Sequence, residues 1–191
     1  MGHFETQPHR SSLGTGRAAG VFLSLLAPAE PQAPTLQRLR REGLPAIAET
    51  ARAAYDGFVE TGGDAPAAGA EAFSITSRIL SAALRAMVVA AFADDQLDAG
   101  DARLVLDGLR QLGLPAAELE LAGALLLGPV RMEDINQELA NLPEACIAYL
   151  SAAAVVSTSC IRQDHFMDRL AESLLIPEGL ARALDACIED D

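Results

Sequence analysis

The chain has 191 residues, enough for one domain with a sizeable core plus extensions, and half of them are hydrophobic. Aromatic residues make up only 4% and Trp is absent; the Ala, Leu and Val that remain suit close-packed helices far better than aromatic-rich sheets, so the expected fold class is all-α. The formal net charge is −13, all 14 basic residues are Arg, and residues 73–191 hold 19 acidic against 8 basic side chains, a balance that repels phosphate and excludes nucleic acid as a partner.

In chain order, residues 1–35 read as a mobile tail, because Ser, Gly and polar residues surround one short apolar patch and "APAEPQAPT" closes the segment with prolines. The patch, "RAAGVFLSLLAPAEP" from Arg17, has some features of a secretory signal ending at Ala27-Pro28-Ala29. Against this stand the acidic Glu5, a long polar lead-in and Pro28 inside the cleavage pattern. The run Ala18 to Ala27 falls far below the ~20 residues a membrane helix needs, so no transmembrane helix is expected. The expected location is cytoplasmic, with export or membrane association as the alternative if residues 1–29 are a signal peptide. The odd cysteine count points weakly to the same reducing compartment.

From Leu36 to Glu60 the pattern is that of an arm helix. Gly43-Leu44-Pro45 marks an interruption or restart, and Leu44, Ile47, Ala51, Ala54, Tyr55 and Phe58 form one apolar stripe. Gly62-Gly63 and Pro66 make residues 61–72 a linker. The domain proper is expected over 73–189. It opens with "FSITSRILSAALRAMVVAAFA", a helix apolar nearly all round and therefore central. Helices over 99–112 and 115–127 follow, then a short one with Met132, Ile135 and Leu139 inward. A long helix opens at Pro143, and two more run from Arg162 and Pro177. This predicts an antiparallel bundle of about seven helices in the domain, with the arm outside it.

Between the first two domain helices lies "ADDQLDAGD", which sets Asp94, Asp95, Asp98 and Asp101 within eight residues. Carboxylate oxygens at this density suit a hard cation such as Ca²⁺ or Mg²⁺, or they cap the next helix and face its positive end. An EF-hand beginning at Asp94 would need Gly at Ala99 and a bidentate Glu at Val105, and has neither. The structural reading makes Asp98 an N-cap and Asp101 a first-turn acid. The metal reading makes Asp94, Asp98 and Asp101 ligands of a weakly bound ion. No catalytic set is expected: Cys160 and His165 are close in sequence but lack an orienting acid, and no phosphate loop, HExxH or zinc-type Cys pair occurs. Cys146, Cys160 and Cys187 read as small core residues and His165 as an exposed helix residue.

Three segments carry a resemblance to a known family: "RAMVVAAFADDQLDAGDARLVL", "LPEACIAYLSAAAVV" and "FMDRLAESLLIP". Over Phe73 to Glu189 the chain resembles the YebE-type domain of unknown function, within the TerB-like (tellurite resistance) helical fold. The resemblance implies two helix-loop-helix halves, each with an acidic loop that is a candidate cation site. Asp94 and Asp98 stand where the family has Asp, Asp95 replaces its Gly, and Asp101 replaces its Glu. In the second loop Ser157, Ser159 and Gln163 stand where acids are usual, so only the first keeps a ligand set. The functional expectation is a non-enzymatic module that binds a protein partner, at the membrane periphery as an alternative setting, with no cofactor beyond a weak Ca²⁺ or Mg²⁺. The arm helix is the expected contact element, because its apolar stripe must either fold onto the core or bury against another chain. The rival expectation is a divalent-cation sensor acting through the Asp94–Asp101 loop.

Overall fold

A computed structural model describes residues 38–39, 41–93, 99–111, 116–128, 131–156 and 161–189. Among them are eight α-helices: α1 (Leu44–Glu60), α2 (Ser77–Ala93), α3 (Ala99–Gln111), α4 (Ala116–Leu127), α5 (Met132–Glu138), α6 (Leu142–Ala153), α7 (Ile161–Ser173) and α8 (Glu178–Glu189), with a 3-10 turn at Ala70–Phe73 and no strand. The all-α expectation holds, and the seven domain helices lie close to their expected positions.

The helix boundaries follow from local chemistry. Gly43, at φ 70, ends the preceding helical turn by donating its N–H to the Leu39 carbonyl at 2.8 Å, and Pro45 sits in the first turn of α1, where no N–H is needed. At the other end Gly62 takes φ 88 while the Gly63 N–H returns to the Phe58 carbonyl at 2.9 Å, a left-handed cap that uses one of the last carbonyls. The helix expected from Phe73 begins instead at Ser77, because Thr76 Oγ1 accepts the Ile79 N–H at 3.2 Å and Phe73 belongs to the 3-10 turn. Asn141 caps α6 by accepting the Glu144 N–H at 3.0 Å, followed by Pro143 in the first turn.

α2 and α6 pack against each other as the centre of the fold. Every residue of α6 from Pro143 to Ala153 is buried, and α2 buries Ile79, Leu80, Ala82, Ala83, Leu84, Ala86, Met87, Val88, Ala90 and Ala91. Alanine on both helices lets the backbones approach closely and accounts for so apolar a core with so few rings. α5 lies on α2, α7 touches α2, α5 and α6, and the α3–α4 pair reaches the centre through α4 on α2.

The largest departure concerns the arm. α1 packs against both α6 and α8, and Leu44, Ile47, Ala51, Ala54 and Tyr55 of its stripe are buried in the same cluster as α2 and α6. It is a core helix. Residues 61–69 are likewise fastened down: Tyr55 donates its hydroxyl to the Pro66 carbonyl at 2.7 Å and meets Phe73 edge-on, with ring centroids 5.6 Å apart. Burial raises the Tyr55 phenol above its ordinary value.

Candidate functional site

Asp94, Asp95 and Asp98 lie outside the described residues. Asp101 is in the first turn of α3, with its side chain also outside them. Among the described residues no group of three or more His, Cys, Asp or Glu side chains is placed to hold a metal ion. His165 is exposed on α7, as expected. Cys160 lies outside the described residues, so its relation to His165 is not described. Of the cysteines expected in the core, Cys146 is fully buried, which pushes its thiol up to about 12 and makes it inert, whereas Cys187 on α8 is only partly buried.

The buried polar chemistry is spent on holding helices together. Arg78 and Arg85, two turns apart on one side of α2, reach Glu144 at the start of α6 and Glu138 at the end of α5, the latter with Nε to Oε1 at 2.9 Å. The other oxygen of Glu144 accepts the Ala140 N–H at 2.8 Å, so a single carboxylate joins α2, α6 and the segment before it. Tyr149 of α6 donates to Asp185 Oδ1 of α8 at 2.9 Å. Glu144 was absent from the sequence-derived candidates; the signal available was Asn-x-x-Glu at 141–144, a helix-start pattern whose partner at Arg78 no local pattern identifies.

Two surface features stand apart from this framework. A groove of about 420 Å³ runs between α1 and α8, lined by Arg38, Glu49, Thr50, Ala53, Ala186 and Cys187. Arg38 bonds Glu42 at 3.0 Å and Glu49 at 2.9 Å across its rim. The hydrogen bond and charge of Glu42 hold Arg38 above its ordinary value, and the bonds from Arg38 and then Arg41 hold Glu42 below the usual carboxylate range. The second feature is Leu175, between α7 and α8. It sits at φ 55 and is 78% exposed, two residues past Ser173, which lines a shallow depression of about 250 Å³ with Glu133, Asn136 and Gln137. Asn136 Nδ2 donates to the Ser173 carbonyl at 2.9 Å, and the Ile176 N–H closes on the Ala171 carbonyl at 3.0 Å, so the turn is held from both sides. Left-handed backbone costs a leucine roughly 1–2 kcal/mol, and here the strain displays an apolar side chain to water.

A family model described as "Protein of unknown function (DUF533)" matches residues 12–188. The chain belongs to the DUF533 family. No curated protein and no solved structure matches it. The DUF533 match runs through α1 and the 61–72 segment as well as α2 to α8, in keeping with the packing of α1 into the common core. It also begins upstream of the apolar run Ala18–Ala27, so that run falls within the DUF533 unit. No helix among the described residues is long and apolar enough to cross a membrane.

Proposed function

We propose that this DUF533 chain is a non-enzymatic helical module of the YebE-type, TerB-like class that acts by binding another protein through the surface around Leu175. The observation that carries the reading is the strained and exposed Leu175 itself. A glycine at that position would relieve the backbone strain, and a polar residue would remove the exposure, so a leucine held outward by a well-bonded turn is best accounted for as a contact side chain. The adjoining depression, with the amide groups of Asn136 and Gln137 and the carboxylate of Glu133, offers polar groups for the rim of such a contact.

A photo-crosslinking amino acid placed at 175 in cells tests this. The expected result is a discrete adduct with one protein, absent when the same group is placed at exposed Arg182 on α8. Equal, diffuse labelling from both positions rules the reading out.

A further inference from the structure

The depression walled by Glu133, Asn136, Gln137 and Ser173 measures about 250 Å³, below the size of a small-molecule pocket and suited to a single side chain. Its polar groups are weighted towards accepting hydrogen bonds. Asn136 spends its Nδ2 on the Ser173 carbonyl at 2.9 Å, which leaves Oδ1 as the atom it offers, and Glu133 adds an exposed carboxylate with no ion pair among the described residues. A side chain that only donates, that of Arg or Lys, matches such a lining. The charge around Leu175 has the same sign. Exposed Glu172 and Glu178 stand three positions to either side of it. Arg182 lies 3.4 Å from Glu178, whereas Glu172 has no ion pair among the described residues, with Arg169 one turn earlier on α7 included. An exposed leucine bordered by unpaired carboxylates is complementary to a surface that brings an apolar group and cations together. A second copy of this chain is disfavoured, because a two-fold contact would press the same carboxylates of two molecules, each of net charge −13, against one another.

Taking Leu175 as the contact proposed above, we infer that its partner is a basic segment of another protein, which lays an apolar side chain on Leu175 and an Arg or Lys side chain in the Glu133–Ser173 depression. The test uses the full-length chain in cells with the photo-crosslinking amino acid at 175. Mass spectrometry of the adduct should map the crosslink to a partner segment of net positive charge. Adding Glu133→Arg and Glu172→Arg should lower the adduct yield about tenfold, as loss of local charge complementarity predicts. The same number of reversals at exposed Asp107 and Glu120, on α3 and α4, should leave the yield unchanged. The mapping needs no change beyond residue 175, so it decides the matter even if a reversal unfolds the chain. A discrete adduct on a neutral or acidic segment overturns this inference and leaves the contact reading standing, as does a yield that neither pair lowers or both lower equally. A crosslink to this chain's own sequence at dimer mass overturns it by showing a second copy. The absence of any discrete adduct overturns the contact reading and this inference together.

Discussion

Glu144→Ala should lower stability by about 3 kcal/mol. Its side chain is only 6% exposed, and its two oxygens serve different partners, the Arg78 guanidinium and the Ala140 N–H. Losing the acceptor for a part-buried backbone N–H costs roughly 1.5 kcal/mol. The Arg78 side chain is 49% exposed and recovers water when its partner is gone, so the ion pair contributes only about 1 kcal/mol after screening. The negative charge in the first turn of α6 adds roughly 0.5 kcal/mol against the helix dipole. The Asn141 cap is untouched, because it uses the backbone N–H of residue 144. Urea unfolding followed by circular dichroism at 222 nm reads the loss, with an unchanged slope, and a thermal midpoint lower by about 6–12 °C should accompany it. Arg78→Ala should cost about 2 kcal/mol, and the double mutant should show a coupling of about 1 kcal/mol. A loss below 1 kcal/mol for Glu144→Ala, or a coupling indistinguishable from zero, would refute the view that this carboxylate ties α2 to α6.

Leu175→Gly should raise stability by about 1 kcal/mol in the same assay, since glycine adopts φ 55 without strain, while abolishing any partner contact made there; a destabilised variant would mean that the leucine supports the fold. Burial lifts Cys146 from 9.0 to about 12, so the folded state holds this proton more tightly than the unfolded chain. The stability it contributes is complete below pH 9 and is lost as pH climbs towards 12, by on the order of 4 kcal/mol. Cys146→Ala should therefore flatten alkaline unfolding between those values, and an identical pH slope in parent and variant speaks against it. Deleting residues 1–60 should leave a chain with no cooperative thermal transition, because α6 and α8 lose the helix that covers them; a folded truncation would restore the detachable arm. Titration with Ca²⁺ or Mg²⁺ up to the millimolar range should leave the midpoint unchanged, with Asp98→Ala costing ~0.5–2 kcal/mol at any ion concentration, as a helix cap predicts; a cation-dependent rise lost in Asp101→Asn would establish the ion site instead.

Much of the secondary structure was legible because its signals are local. Gly43 before Pro45, the Gly62-Gly63 stop and Asn141 ahead of Pro143 each act within a few residues, through backbone conformation or a single capping bond, and the structure starts or ends a helix at all three. The apolar surround of residues 77–93 marked α2 as central, and its burial follows. What the periodicity of α1 could not contain was the identity of its cover: a stripe of Leu44, Ile47, Ala51, Ala54 and Tyr55 requires a neighbour, but α6 and α8 begin 98 and 134 residues after α1 begins. The same holds for Phe73, drawn out of the expected helix by its edge contact with Tyr55, and for Glu144, whose partner Arg78 is 66 positions away. Leu175 carries no glycine signal at all, and its left-handed backbone closes the end of α7, where the Ile176 N–H returns to the Ala171 carbonyl. Sequence by itself determined most helix ends, the start of α2 excepted, and which faces are apolar, because those depend on neighbours within a turn. Tertiary structure alone decided which faces meet and where strain is kept, because burial is shared among distant segments and no residue fixes its partner's position along the chain.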